Sequence, residues 1–437
     1  GGNILAVRVV SGTVQFTGAN SYSAGTEVLN GGKFRADTTN ALGTGNISIQ
    51  SGGTLLLECA GNLTNNMSLA SGATLGANEW NGAAWNLDGT ITTLDGMVTA
   101  EGRCGRSGTF NQHAGKVTGI GGMLFLSGYQ SFTYNMYGNN DYAGPTVIGG
   151  PTMTYGNASV VVNTYHPNAF GTTVETISNY CPNATLSTLS IGANLLNLNK
   201  SIWCGPKSVF SHTAINTTVS NTITLAGGVY TFPVGGSSYH NGAIILAAGT
   251  TNIFRSGPWS AGDWYQTGAM SGGGVLTFDH EYSGSGNRHL SGNNASYTGT
   301  IFSANSDNVS RCYVGSDNGL GTGAFLLQGA DSSRTILYLD KSVMLGNTFQ
   351  GTGRTDLQGF TLTHAGAIAP GDPGAMGTIA FGNGTLDLRG TYYWQFNETT
   401  NDMISVATLA FGGGPATLDA EWLGSGSSPN GEYVIMS

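Results

Sequence analysis

Gly18-Ala19-Asn20-Ser21-Tyr22-Ser23-Ala24-Gly25-Thr26, followed by Leu29-Asn30-Gly31-Gly32-Lys33-Phe34 and then Asn40-Ala41-Leu42-Gly43-Thr44-Gly45, is the stretch that decides the fold. Its signposts return twice more in the same order. Copies begin near Gly12, Gly121 and Gly272, each opening on a strand (Val14 to Gly18, Leu124 to Gly128, Val275 to Phe278). A tyrosine turn follows, at Tyr142-Ala143-Gly144-Pro145-Thr146 and Tyr297-Thr298-Gly299-Thr300 in the later copies. The third signpost is Asn168-Ala169-Phe170-Gly171-Thr172 and then Asn318-Gly319-Leu320-Gly321-Thr322-Gly323. From Tyr to the Leu or Phe, the copies span 20, 28 and 23 residues. Such spacing fits one coil of a solenoid holding roughly three short strands, with loops absorbing the variation. Glycine suits the corners of such a coil, and inward side chains stack on like neighbours above and below.

Outward from the repeat, composition points the same way. Of 437 residues 71 are glycine, about twice the usual share, whereas charged residues reach only 9% against about 25% in an ordinary globular chain. Helices normally solvate a charged face, so the uncharged Thr, Ser, Asn and Gly here favour pleated surfaces and turns. Apolar residues make up 39%, enough to fill a narrow core repeatedly, and this argues against disorder. Short apolar runs bounded by turn residues recur at Ile47-Ser48-Ile49, Val160-Val161-Val162, Ala243-Ile244-Ile245-Leu246 and Phe325-Leu326-Leu327. The reading is all-β, a parallel β-helix, with a β-sandwich as the alternative.

The repeat resembles the autotransporter passenger-associated β-strand repeats, most closely over Gly18 to Leu42. Ala369-Pro370-Gly371-Asp372-Pro373-Gly374 is similar to a Pro-Gly turn of those proteins, and Asn401 to Val406 with Ala416-Thr417-Leu418 to the strands beyond it. The resemblance implies a right-handed parallel β-helix exported to the cell surface, usually followed by an outer-membrane barrel or another sorting element. Residues 1–358 then read as glycine-rich repeats with loop insertions, and 359–437 as an autotransporter-like segment continuous with them. The chain departs from the pattern by ending at Tyr433-Val434-Ile435-Met436-Ser437 without barrel strands, so processing or independent secretion is expected.

Chemistry-bearing clusters are sparse. Net charge is −9 with no basic cluster, which speaks against nucleic acid, and no apolar run nears the ~20 residues that span a bilayer. Asp279-His280-Glu281 is the densest acidic group containing a histidine, and on a strand it splits its carboxylates and imidazole between two faces. Asp372 reads as a turn former, and Asn139-Asn140-Asp141 as a solvated loop rather than a calcium site. Five cysteines show no zinc spacing, and Cys181 with Cys204, about one coil apart, is the candidate disulfide. Asn-x-Ser/Thr sequons, Asn62 and Asn294 among them, leave glycosylation open.

A non-catalytic extracellular role is expected, with no cofactor or metal and no catalytic residue assigned. Apolar ends, Ile4, Leu5, Val7, Val9 and Val10 at one and Tyr433, Val434 and Ile435 at the other, suggest head-to-tail self-assembly into a filament or surface layer. The alternative is an adhesin or glycan-binding surface protein. Its signature is an exposed aromatic row, and Trp259, Trp264 and Tyr265 are the candidates, with Trp80, Trp85 and Tyr392-Tyr393-Trp394 behind them. A polysaccharide-degrading enzyme ranks third.

Overall fold

The structure, a computed structural model, describes residues 5–425 apart from 79–83, 104–106, 129, 151–157, 182–185, 192–196, 214, 233–235, 257–261, 281–286, 305–310, 329–334, 372–374 and 414. Among the described residues the elements are β-strands, save one 3-10 turn at Thr39–Leu42. Ile4, Trp80, Trp259, Glu281, Asp372, Tyr433, Val434 and Ile435 lie outside the described residues.

The chain forms two compact units, Gly1–Ala214 and Ile215–Ser437, and each is a parallel β-solenoid. In the first, one sheet stacks Val7–Val9, Thr26–Val28, Ile47–Ile49, Met67–Leu69, Ile91–Thr93 and Val117–Gly119. A second begins Gly12–Phe16, Gly32–Ala36, Thr54–Leu57, and a third begins Gly61–Leu63, Ala84–Leu87, Gly108–Gln112. The chain visits the sheets in turn, so a coil returns each residue type above its counterpart: Val28 pairs with Ile49, and Phe110 with Tyr134. Three strands per coil is not kept throughout. Beyond Val117–Gly119 the first sheet stops and corner turns take its place, leaving two strands per coil. The second unit repeats the change after Tyr297, where the sheet of Ile223–Leu225, Ile244–Leu246 and Met270–Gly272 ends. The described residues between 359 and 425 belong to this second unit.

The repeated signposts build these corners. Tyr22, Tyr142 and Tyr297 are all buried, as are Leu42, Phe170 and Leu320. Tyr22 and Tyr142 share hydrogen bonds with Thr26 (2.7 Å) and Thr146 (2.6 Å), while the Tyr297 hydroxyl donates to the carbonyls of Gly274 (2.9 Å) and Thr300 (3.0 Å). One coil later, Gly43, Gly171 and Gly321 sit at φ 64°, 79° and 74°, and a Cβ there would meet the carbonyl oxygens of Tyr22, Tyr142 and Tyr297 within 2.4 Å. Glycine at the third signpost is therefore required twice over, by the backbone conformation and by contact with the coil below.

Asparagines tie the corners together. Asn140, expected in a solvated loop, is fully buried because its amide completes four bonds. Its Oδ1 accepts from the Val117 N–H and from Gln112 Nε2 (both 2.7 Å), and its Nδ2 donates to the Ala169 carbonyl (2.6 Å) and Gln112 Oε1 (3.1 Å). Asn294 does the same in the second unit with Met270, Gln266 and the Gly319 carbonyl, and its complete burial closes that sequon to a glycan in the folded protein. Paying the desolvation of an amide is tolerable only where every donor and acceptor is met, as here.

Apolar side chains alternate inward along most strands, as in Gly32–Ala36 and Met97–Gly102. Trp85 packs edge-on against Phe110 at 5.7 Å in the first unit. Trp264, a candidate for a surface platform, is instead fully buried, stacked on Phe232 at 5.2 Å. Its place in Asp263–Gln266 sends it inward and its neighbour Tyr265 outward. Arg288, in register with Trp264, is also buried, its guanidinium 5.4 Å and 5.3 Å from the Phe232 and Phe278 ring centres.

Cys181 and Cys204 are both buried and stand as thiols. Register explains why no bridge joins them. Cys204 pairs with Asn179, so Cys181 is offset by two residues along the strand as well as one coil across, roughly 8 Å between Cα atoms and beyond disulfide reach. Burial pushes the Cys204 thiol up to about 12.

Candidate ligand-binding face

Side chains that point outward also repeat from coil to coil, and two kinds of ladder result. In the first unit, Asn62, Asn86, Asn111, Asn135 and Asn163 lie in register. Each amide donates to the Oδ1 of the asparagine one coil earlier, at 2.7, 2.8, 2.8 and 2.9 Å. A parallel coil brings identical side chains about 4.8 Å apart, which is the distance at which a primary amide can both donate and accept along one line.

The second ladder is aromatic. Tyr239, Tyr265, His289, Tyr313 and Tyr338 lie in register on successive coils of the second unit. Ring centres are 4.9, 4.3, 4.5 and 4.9 Å apart with planes 15–20° from parallel. Tyr239 is 39% exposed, the other tyrosines are half-buried, and His289 is 8% exposed. Polar groups frame the row: His289 Nδ1 lies 2.8 Å from Asp340, and Asn287 donates to Asp263 at 2.7 Å. Burial raises the phenol pKa of Tyr265 and of Tyr313, with Arg311 opposing the shift at Tyr313. Those two phenols are therefore neutral donors and acceptors near neutral pH. Stacking covers the ring faces between neighbours, so the ladder offers solvent its ring edges and two pairs of hydroxyls, Tyr239 with Tyr265 and Tyr313 with Tyr338, separated by the His289 rung.

A shorter row of the same type stands in the first unit. His113 packs on Tyr137 at 4.9 Å, and Tyr137 stacks on Tyr165 at 4.3 Å. Tyr137 and Tyr165 are 37% and 41% exposed, and His113 and Tyr137 line an open cleft with Lys116, Asp141 and His166. Lys116 and Asp141 form an exposed ion pair at 2.8 Å.

Of the residues singled out in the sequence, Tyr265 joins the long ladder and Trp264 does not. Tyr239, His289, Tyr313 and Tyr338 escape a reading by residue type, because each is a single outward ring in its own strand, and Tyr338, between Leu337 and Leu339, reads only as part of an apolar run. Aligning the strands by coil length would have found them. Asp279 and His280 fall in the strand Val275–His280, where Asp279 lies in register with Arg255. Of the apolar residues proposed for end-to-end contact, Leu5 and Val10 are 61% and 59% exposed, but Val9 is core, 2% exposed and packed against Gly32.

Fold and face together define a parallel β-solenoid that carries outward side-chain ladders. No family model, no curated protein and no solved structure matches the chain. Among the described residues, no helix is long and apolar enough to cross a membrane.

Proposed function

We propose that this chain is a non-catalytic extracellular adhesin whose solenoid surface binds a repeating polymer, with polysaccharide as the ligand class. The observation that carries the reading is the five-ring ladder from Tyr239 to Tyr338. Polar groups repeated along the ladder, four phenol hydroxyls with His289 between the two pairs, make several weak contacts with a chain that is itself periodic, and their effects multiply once the first is made. The likeness of Gly18 to Leu42 and of Ala369 to Gly374 to autotransporter passenger repeats supports surface display. The test is cosedimentation with insoluble polysaccharides. Replacing Tyr239, Tyr265, Tyr313 and Tyr338 by Phe keeps the stacked rings and removes the hydroxyls, and is expected to weaken binding roughly tenfold or more.

Head-to-tail assembly is the second reading, favoured by the exposure of Leu5 and Val10. Sedimentation velocity separates the two. Concentration-dependent growth that Leu5→Asp with Val10→Asp abolishes supports a filament subunit, and a single species across the range supports the adhesin.

A further inference from the structure

We propose that a trough in the second unit, lined by Gln350, Ala369, Tyr393, Gln395, Asp419 and Glu421, binds a short uncharged oligosaccharide. The depression has a volume of about 750 Å³, within the span of small-ligand sites. It shares no residue with the aromatic ladder, so the two stand or fall separately.

Strand register sets its floor. Ile368 pairs with Tyr392, which brings Ala369 beside Tyr393, and on the next coil Tyr393 pairs with Asp419 and Gln395 with Glu421. Tyr393 therefore has a methyl on one side and a carboxylate on the other. Among the described residues no ring stacks on it, and it is 43% exposed. This is the reverse of the Tyr239–Tyr338 ladder, where each ring covers the next. An uncovered aromatic ring is the surface on which the C–H face of a pyranose can lie, since it supplies area at little entropic cost.

Polar groups stand where sugar hydroxyls would fall. Asp419 and Glu421, two apart on one strand, point to the same face, and both are exposed. Gln395 Nε2 donates to Glu421 Oε2 at 2.8 Å, which orients that carboxylate and leaves its other oxygen to accept. The wall is fixed. Asp402, 1% exposed, accepts the N–H groups of Gly377 (2.8 Å) and Gln395 (2.9 Å), and Trp394 Nε1 donates to its carbonyl (3.1 Å). A site held this way loses little freedom on binding. Among the described residues no Lys or Arg lines the trough, so its carboxylates repel uronic and sialic acids while accepting hydroxyl donors.

The experiment is calorimetric titration of the full chain with tetrasaccharides of neutral β-glucan, α-glucan, mannan and N-acetylated chitin, alongside galacturonan and deacetylated chitin. Expected is saturable one-to-one binding of at least one neutral tetrasaccharide and none of galacturonan. Tyr393→Ala, with an unchanged melting temperature, should weaken that binding roughly tenfold or more, and Asp419→Asn severalfold. Tyr239→Phe should leave it unchanged, which separates the trough from the ladder. The proposal is overturned if no neutral sugar binds at millimolar concentration, if Tyr393→Ala binds like the parent, or if galacturonan or deacetylated chitin is preferred.

Discussion

A single glycine can hold a coil corner when the coil below leaves no room for a Cβ. At Gly171 the added carbon would meet the Tyr142 carbonyl oxygen at 2.0 Å, whereas at Gly31, which has a similar φ of 76°, it would meet nothing within 4 Å. Gly31→Ala should therefore cost only the left-handed backbone penalty of about 1 kcal/mol, and Gly171→Ala about 3 kcal/mol or more. Urea midpoints of the two variants check the ordering. Histidine burial sets a second expectation at this scale. His212 and His364 are 1% and 0% exposed, and burial lowers each to about 4 from 6.5. A depressed folded value means stability is intact above pH 6.5 and lost as pH falls toward 4, by about 3 kcal/mol for each. Asp402 acts in the opposite sense. Burial raises its carboxyl to about 6, so its charging penalty of about 3 kcal/mol disappears between pH 6 and 3.8. These three groups together give a loss of about 3 kcal/mol between pH 7 and 4, removed largely by His364→Leu. Urea melts at the two pH values measure it, and a parent no less stable at pH 4 contradicts it.

Within the strands, what matters is the neighbour one coil away. Asn111 donates to Asn86 and accepts from Asn135, so Asn111→Ala removes two amide bonds and strands the ends of the ladder. About 1 kcal/mol of local stability should go, seen as faster amide exchange in Ala84–Leu87 and Phe132–Met136 rather than in distant strands. Asn111→Asp keeps the acceptor for Asn135 and should recover part of that protection. Ladders also mark the boundary of what a linear reading can see. The strand periodicity and the Tyr, Leu and Gly signposts are local patterns, and they gave the coil. The partner of Tyr265 is His289, and nothing near either in the chain announces it, because the pairing shows only when strands a coil apart are set in register. The stagger of Cys181 and Cys204 is invisible for the same reason: a spacing near one coil says nothing of register until the strands are placed.

At the level of the molecule, each solenoid unit turns a one-dimensional repeat into a surface whose chemistry varies by side. Inward positions carry Trp85, Trp264 and the buried Arg288, while outward positions repeat asparagine in one unit and tyrosine in the other. The fold class was legible from the three signpost copies. The face was legible only in part, through Tyr265, because an aromatic row is a property of stacked coils and not of any segment. Nearest-neighbour contact between coils gives one more expectation. Since each coil touches only its neighbours, the tyrosine-to-phenylalanine changes in the second unit should leave amide protection across Gly108–Gln112 unaltered. The most direct test of the account is cosedimentation of the parent chain and the Tyr239→Phe, Tyr265→Phe, Tyr313→Phe, Tyr338→Phe variant with a panel of insoluble polysaccharides. Expected is retention of the parent by at least one polymer and roughly tenfold weaker retention of a variant with the same circular dichroism and melting temperature. Equal retention of both proteins, or retention of neither by any polymer, would contradict it.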